Sequence, residues 1–206
     1  MTSTPLPLFP LNTVLFPDGV LSLQIFEVRY LGLIKHCIAS NTPFGVVALT
    51  AGNEVRTPEG KETFAAIGTT AKIVESEAPM AGLLRIKCNG ETRFQIESSE
   101  QLKHGLWLAQ VQFLDADRSI VVPEELQDTT DALRNVIASL QSQDSVSKNM
   151  PITQPYQLDD CGWVANRWCE LLPMEQEEKL RLLALDNPLL RLELVQDVLA
   201  GHGLLG

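Results

Sequence analysis

The residues best suited to chemistry are three histidines and four cysteines, and their spacing does not indicate a reaction centre. Thiolates and imidazoles ligate metals or act as nucleophile and base only when the chain brings them together. No two cysteines form a Cys-x-x-Cys pair, and the closest two are eight residues apart. The positions are His36, His104, His202, Cys37, Cys88, Cys161 and Cys169. We therefore predict no catalytic residue, no metal site and no cofactor, and we expect the cysteines to be buried, reduced thiols.

Charge and motif content argue against two further classes of protein. The sequence contains no GxxxxGK(S/T) phosphate loop, so it predicts no P-loop ATPase module. Residues 1–122 hold ten Lys/Arg against twelve Asp/Glu, a net of −2, and residues 123–206 hold six against fourteen, a net of −8. An acidic chain repels the phosphates that a nucleic-acid-binding surface must neutralise, so nucleic acid is disfavoured as a partner.

The N-terminal residues 1–17 lack a basic segment, and prolines interrupt their apolar run. This composition is not that of a signal peptide or a membrane span. No other segment has the length of uninterrupted apolar residues that a membrane helix needs. We therefore expect a soluble, cytoplasmic protein that does not contact membranes.

Structural signals are densest in residues 6–38. Two short extended runs, Leu6–Phe9 and Val14–Phe16, are flanked by prolines, which is typical of edge or bent strands. The sequence Phe16-Pro17-Asp18-Gly19 predicts a β-turn with proline at its second position. Val20–Ile25 then predicts another strand.

The periodicity becomes helical at Phe26. Apolar residues recur at steps of three and four, which predicts one buried helical face ending near Asn41. The members of this face are Phe26, Tyr30, Leu33, Ile34, Cys37 and Ile38. Glu27 and Arg29 are two residues apart, so we expect each to contact a different neighbour.

Short apolar or alternating runs dominate the rest of residues 1–122. They are Phe44–Thr50, Ile67–Glu77, Leu84–Cys88, Thr92–Ile96 and Trp107–Phe113. Residues 51–62 are polar and predict a surface loop. Asn89-Gly90 predicts a hairpin between two of the runs, with a bulge in one bent strand as the alternative. Together the strands predict a closed or semi-closed β-barrel.

Residues 123–206 have helical patterns and predict a separate subdomain. Pro123 begins one helix, Asp159-Asp160 caps another, and Asn187-Pro188 begins the last. Residues 142–158 are polar and predict a long connection. Trp163 lies off the apolar face of its helix, so we expect it to be exposed or to cover the seam of the barrel.

Three segments resemble the N-terminal domain of the ATP-dependent Lon proteases. They are FPLNTVLFPDGVLSLQIFEVRY (residues 9–30), IGTTAKIVESEAPMAGLLRIKCNGETRFQI (67–96) and NRWCELLPMEQEEKLRLLALDNPLLRLELVQDVL (166–199). The second contains the family's glycine followed by Arg-Phe, here Gly90, Arg93 and Phe94. The resemblance implies an α+β fold: a PUA-like, semi-closed β-barrel with one early helix, followed by a C-terminal helical subdomain.

In Lon proteases this domain contributes to the recognition of unfolded or tagged substrates. The resemblance therefore implies a stand-alone, non-catalytic module without ATPase or Ser-Lys protease domains. Its partners would be unfolded or exposed apolar polypeptide segments, and a protease or another protein complex. Two alternatives stay open: RNA binding, by analogy with PUA-like barrels, and a small-molecule enzyme that uses the groove between the subdomains.

Seven residues are candidates for partner binding or for the family motif. For those at the start of the early helix, the alternative is structural: the aromatic rings anchor the helix, and the charged groups satisfy nearby backbone. The seven candidates are Phe16, Pro17, Phe26, Glu27, Arg29, Tyr30 and Trp163.

Overall fold

A computed structural model describes residues 3–54, 62–143 and 150–205. The chain divides into two compact units, residues 1–116 and 117–206. The first unit is mainly β and the second is helical, so the predicted α+β class is confirmed. None of the helices in the described ranges is both long enough and apolar enough to cross a membrane.

Six strands and one helix form the described part of the first unit. In chain order they are β1 (Thr4–Leu11), β2 (Val20–Ile25), α1 (Val28–Ser40), β3 (Phe44–Ala51), β4 (Thr63–Met80), β5 (Leu83–Gln101) and β6 (Trp107–Phe113). The hydrogen-bonded order is β2-β5-β4-β3-β1-β6, and β6 also pairs with β5. This last pairing joins five strands into the predicted barrel. The remaining strand, β2, is not one of these five and pairs with β5.

The strand β5 takes part in two pairings because it is long and bent. Its residues 84–89 pair with β2, and its residues 94–101 pair with β6. The predicted hairpin at Asn89-Gly90 is wrong, since the strand continues through both residues. The alternative, a bulge, is confirmed: Ala71 of β4 lies opposite Gly90 while Thr69 lies opposite Arg93, so β5 holds one extra residue there.

The predicted strand at Val14–Phe16 is also wrong. These residues form an irregular segment, although all three side chains are buried. The hydroxyl of Thr69 donates a hydrogen bond to the carbonyl oxygen of Leu15 at 2.6 Å. This bond satisfies a buried main-chain group that has no strand partner.

The apolar face of α1 packs onto the barrel core. Tyr30 stacks on Phe9 of β1 with ring centroids 3.8 Å apart. The helix ends at Asn41, as predicted, with a left-handed backbone (φ 55°). Two predicted members of the face are exposed instead, Phe26 at 58% and Ile38 at 41%. Phe26 is outside the periodic pattern because the helix begins only at Val28.

A 3-10 turn and four α-helices form the described part of the second unit. They are the turn Glu124–Leu126, α2 (Gln127–Gln143), α3 (Cys161–Leu171), α4 (Gln176–Ala184) and α5 (Pro188–Gly201). Pro123 precedes the 3-10 turn, which leads directly into α2. The predicted connections at 51–62 and 142–158 lie partly outside the described residues.

The predicted caps of α3 and α5 are confirmed. Asp160 Oδ1 accepts a hydrogen bond from the amide of Trp163 at 2.9 Å, and Asn187 Oδ1 accepts one from the amide of Leu189 at 3.1 Å. These bonds satisfy amides that have no partner within the helix. The core of the unit contains Leu133, Ile137, Val164, Trp168, Leu183, Leu192, Val195 and Leu199.

Candidate functional site

The turn at Phe16–Gly19 and the backbone of Gly90 form one structural unit. The amide of Gly19 donates to Phe16 O at 3.0 Å, and the amide of Asp18 donates to Gly90 O at 2.8 Å. In return the amide of Gly90 donates to Gly19 O at 2.8 Å. Phe16 is fully buried and Pro17 is half-buried. Phe16 therefore belongs to the scaffold and has no surface to offer a partner.

Arg29 is the centre of a buried polar cluster at the start of α1. Its Nε lies 3.1 Å from Glu27 Oε2, and its Nη2 lies 3.1 Å from Glu62 Oε1. Its Nη1 also donates to the carbonyl oxygen of Gly105 at 3.0 Å. The expectation that Glu27 and Arg29 contact different neighbours is thus wrong for this pair. Glu27 precedes the helix with an extended backbone, so helical spacing does not separate the two side chains.

Glu62 is a member of this cluster that the sequence does not reveal. It ends a segment that reads as a surface loop, but its side chain is only 6% exposed. Its Oε2 accepts a hydrogen bond from Trp107 Nε1 at 2.8 Å. Its partners Arg29 and Trp107 are 33 and 45 residues away, so no local pattern predicts these contacts. The cluster connects the beginning of α1 to the beginnings of β4 and β6.

Burial and neighbouring charges set the protonation states of Arg29 and Tyr30. Burial alone lowers the pKa of Arg29, but the hydrogen bond to Glu62 and the negative charges of Glu27 and Glu62 help to raise it overall. Burial raises the pKa of Tyr30, and the Arg29 guanidinium, 4.5 Å from the ring centroid, offsets part of the rise. Arg29 therefore stays cationic and Tyr30 neutral across the physiological range. Groups that do not titrate near neutral pH suit a structural role better than proton transfer.

An apolar corner lies where β2 leads into α1. Phe26 is 58% exposed, Val28 85% and Met80 65%. Ile25 of β2 pairs with Leu84 of β5, and Met80 pairs with Leu83, so Phe26 and Met80 lie at the same end of the strands β2, β5 and β4. Leu83 and Leu84 are half-buried. We define the apolar corner as Phe26, Val28, Met80, Leu83 and Leu84.

Trp163 is buried, so the alternative of an exposed Trp163 is wrong. Its side chain is 4% exposed. Its ring centroid lies 6.3 Å from that of Tyr156 and 5.7 Å from the Arg167 guanidinium carbon. Every residue of α3 from Cys161 to Cys169 is buried. A helix that is buried on all sides has no solvent face for a residue outside its main apolar stripe.

Arg191 is a buried centre of the second unit that sequence reasoning did not identify as such. The side chain is 1% exposed and forms an ion pair with Asp117. It also donates to Asn166 Oδ1 at 3.0 Å, to the carbonyl oxygen of Leu182 at 3.0 Å, and to that of Leu185. A signal was present: Arg191 lies on the same helical face as the buried apolar residues of α5. These are Pro188, Leu192, Val195 and Leu199.

Comparison with known proteins identifies the family. A model of the substrate-binding domain of ATP-dependent protease La (Lon) matches residues 5–201. This chain belongs to that family. No curated protein matches the chain.

Two solved structures resemble this Lon substrate-binding domain along almost its whole length. The Lon N-terminal domain protein from Xanthomonas campestris has a TM-score of 0.70 and 29% identity, and the match covers 94% of this chain and 98% of that one. The N-terminal domain of the Mycobacterium avium complex Lon protease has a TM-score of 0.61 and 17% identity, covering 97% and 100%. The second similarity is one of fold.

Most residues that carry the sequence resemblance to Lon domains are structural in this chain. Phe16 and Gly90 join the turn to β5, and Phe94 is fully buried in the barrel. Arg93 is 4% exposed, and its Nη2 donates to the carbonyl oxygen of Asp115 at 3.4 Å. Phe26, by contrast, lies within the signature and is exposed. These residues of the motif belong to the scaffold, whereas Phe26, Val28 and Met80 lie within the same segments and have exposed apolar side chains.

A cavity of about 180 Å³ lies between α1 and β4, lined by residues that include Cys37, Asn41 and Lys72. It is smaller than the roughly 300–1,000 Å³ typical of ligand pockets. Within the described ranges, no three or more His, Cys, Asp or Glu residues are arranged to hold a metal ion.

The four cysteines are all buried and free, as predicted. Burial raises the pKa of each thiol, to about 12 for Cys88 and Cys169 and to about 11 for Cys161. Because the thiolate is the reactive form, these side chains are inert at neutral pH.

Proposed function

We propose that this Lon substrate-binding domain binds exposed apolar segments of unfolded polypeptides at the apolar corner. The observation that carries the proposal is the exposure of Phe26, Val28 and Met80 at one end of the sheet. Grouped apolar side chains on a soluble surface are typical of protein interaction sites. Covering a phenylalanine or methionine side chain fully contributes about 1.5–3 kcal/mol.

The chemistry of the corner favours a sequence-tolerant binder over an enzyme. The thioether of Met80 is flexible and polarisable, so it adapts to ligands of different shape. The five side chains that define the corner are apolar, whereas nucleic-acid binding depends on Lys and Arg. The partner would be an unfolded polypeptide, presented alone or by a protease or another protein complex. The domain itself would hold the segment without altering it.

A titration of the purified domain tests the proposal. The probe is a fluorescently labelled model protein, reduced and carboxymethylated so that it stays unfolded, and the readout is fluorescence anisotropy. We expect saturable binding, and none to the same protein in its folded form. Phe26→Ser and Met80→Ser should each weaken binding about tenfold, because each removes one large apolar contact.

A matched control is available at Phe113. Its ring is 44% exposed, but it pairs with Phe94, which is eleven residues farther along β5 than Leu83 of the corner. Phe113→Ser should leave the affinity unchanged within about twofold. The proposal would be contradicted if Phe113→Ser and Phe26→Ser lost equal amounts of affinity for the unfolded probe. It would also be contradicted if the folded and unfolded probes bound equally well.

A further inference from the structure

We infer that the outer edge of β2 binds an extended polypeptide segment as an additional strand, directly beside the apolar corner. This inference rests on the proposed function, since it states how the bound segment would be held. The ligand class is an extended chain of about six residues, the length of β2, with alternating apolar and polar side chains.

The direction of the main-chain groups in β2 follows from its pairing with β5. Gly90 donates to Gly19 O across this ladder. Hydrogen-bonded pairs alternate in an antiparallel ladder, so Leu21, Leu23 and Ile25 direct their main-chain groups towards β5. The N–H and C=O groups of the three alternate residues therefore point away from the sheet. These residues are Val20, Ser22 and Gln24, and no other described residue forms a hydrogen bond with their main chain.

The edge of β2 lacks the features that normally prevent strand addition. Charged residues, proline and bulges commonly protect exposed edges. The outer stretch of β4, beyond its pairing with β3, has all three: Glu75 and Glu77, Pro79, and two register shifts against β5. The sequence of β2, VLSLQI, contains no charge, no proline and no shift in register. One open edge of this sheet is thus protected and the other is not.

The two faces of β2 specify the chemistry of the incoming segment. On the inner face, Leu21 and Leu23 are only half-buried against the core, so apolar side chains of an added strand would cover them. On the outer face, Ser22 and Gln24 are exposed, next to Lys87 and Arg85 of β5. Those two cations already pair with Glu75 at 3.8 Å and Glu77 at 3.3 Å. The outer face therefore has little net charge and accepts neutral polar side chains.

The position of the edge also connects it to the corner. β2 ends at Ile25, and the next residue is Phe26 of the apolar corner. A segment paired along β2 would continue onto the corner without a turn. Apolar contacts and main-chain hydrogen bonds would then act on the same bound chain. An alternating sequence of this kind is typical of a strand that is half-buried in a folded protein, and it is accessible only when that protein is unfolded.

Ser22→Pro tests the edge directly, with Ser22→Ala as its control. The substitution removes an N–H that points away from β5, which an edge strand tolerates. We expect Ser22→Pro to bind the carboxymethylated probe about tenfold more weakly, and Ser22→Ala to bind within about twofold of the wild type. Circular dichroism and urea unfolding establish that Ser22→Pro is folded. A folded Ser22→Pro variant that binds like the wild type would overturn the inference.

A second measurement uses the wild-type protein and does not depend on any variant. The probes are peptides of about eight residues in which valine alternates with threonine. One carries N-methyl groups on the valine amides and another on the threonine amides. Because the valine face is fixed by Leu21 and Leu23, a segment of one direction turns only one set of amides towards β2: the threonine set if it runs antiparallel to β2 and the valine set if it runs parallel. One methylated peptide should lose binding and the other should keep it, and equal binding of the two would overturn the inference.

The outcomes separate this inference from the function on which it rests. If the wild type does not bind the unfolded probe, the proposed function fails and the inference fails with it. If Phe26→Ser weakens binding while Ser22→Pro and both methylated peptides bind normally, only the strand addition fails. A wild-type dimer that Ser22→Pro converts to a monomer in sedimentation experiments would overturn the inference by assigning the edge to a second copy of the chain.

Discussion

The amide nitrogen of Gly90 lies 2.8 Å from the carbonyl oxygen of Gly19, and the two residues join the first signature of the chain to the second. The approach leaves no space at Gly90. A Cβ there would lie 2.1 Å from the carbonyl oxygen of Phe16, which is a main-chain atom and cannot rotate away. Glycine is thus required for a contact between segments that are more than 70 residues apart in the sequence.

Gly90→Ala should therefore destabilise the domain by about 3 kcal/mol, the upper part of the range for overpacked sites. Gly32→Ala is the matched control, because Gly32 is exposed within α1 and a Cβ there meets nothing within 4 Å. We expect the free energy of unfolding of that variant to rise by about 0.5–1 kcal/mol, since alanine restricts the unfolded chain and favours helix. Urea unfolding measures both values. Equal stability of the two variants would contradict the role assigned to Gly90.

The ion pair between Arg29 and Glu62 should be strongly coupled, because their side chains are only 4% and 6% exposed. Arg29→Met leaves buried carboxylates without their cation and should cost about 3 kcal/mol. A double-mutant cycle with Glu62→Gln should give a coupling energy of about 1–3 kcal/mol. The control cycle uses Arg181 and Glu177, which are 76% and 79% exposed. Its coupling energy should be about 0.5 kcal/mol or less. Similar coupling energies in the two cycles would contradict the stronger coupling expected for the buried pair.

Arg191 should not be replaceable by lysine. Its guanidinium bonds to Asp117, Asn166 and two main-chain carbonyl groups, and a single ammonium cannot reproduce that planar set of donors. Arg191→Lys should lower the free energy of unfolding by about 3 kcal/mol. Urea unfolding, monitored by the fluorescence of the buried tryptophans of the second unit, measures this value. Arg181→Lys, at an exposed site, should cost almost nothing. A tolerated Arg191→Lys would show that the charge alone matters there.

Stability should decrease at alkaline pH because the buried thiols resist ionisation. The ordinary thiol pKa is 9.0, and burial raises that of Cys88 to about 12. The unfolded chain therefore releases a proton above pH 9 that the folded chain retains, so the contribution to stability is complete below pH 9 and is lost as the pH rises towards 12. Each such thiol lowers the free energy of unfolding by about 1.4 kcal/mol per pH unit in this range.

Cys88→Ala isolates one of these contributions. Its absolute stability will be lower because a core atom is lost, so the informative quantity is the change between about pH 8 and pH 10.5. That change should be smaller in the variant than in the wild type by the contribution of one thiol. If the free energy of unfolding, measured with urea, changed equally with pH in the variant and in the wild type, Cys88 would ionise freely in the folded protein.

Local signals predicted the elements well, and distant contacts account for the failures. The caps at Asp160 and Asn187, the end of α1 at Asn41 and the turn at Phe16–Gly19 each depend on a few neighbouring residues. Asn89-Gly90 looks like a hairpin because the same dipeptide suits a turn. Here the glycine is needed for the approach of Phe16, a requirement that no local pattern contains.

The candidate site divides in the same way. The helical pattern correctly predicted that Tyr30 is buried. It also predicted a helix that begins at Phe26, two residues too early, and so wrongly predicted that Phe26 is buried. The pairing of Arg29 with Glu62 and the exposure of Met80 depend on which strands are neighbours, which the sequence alone does not specify. Trp163 was misplaced because the prediction assumed that α3 has a solvent face, and none of its residues from Cys161 to Cys169 is exposed.

The position of β1 in the sheet has a consequence for how the domain folds. β1 lies between β3 and β6, so Thr4 pairs with Val111, 107 residues later. During synthesis β1 leaves the ribosome long before β6 is made. Until then the edge of β1 that carries Leu6 and Leu8 and pairs with β6 has no partner strand. Contacts of such long sequence separation close slowly, typically in milliseconds to seconds. The barrel therefore cannot close before β6 has been made, and until then the unpaired edge of β1 is open to association with other chains.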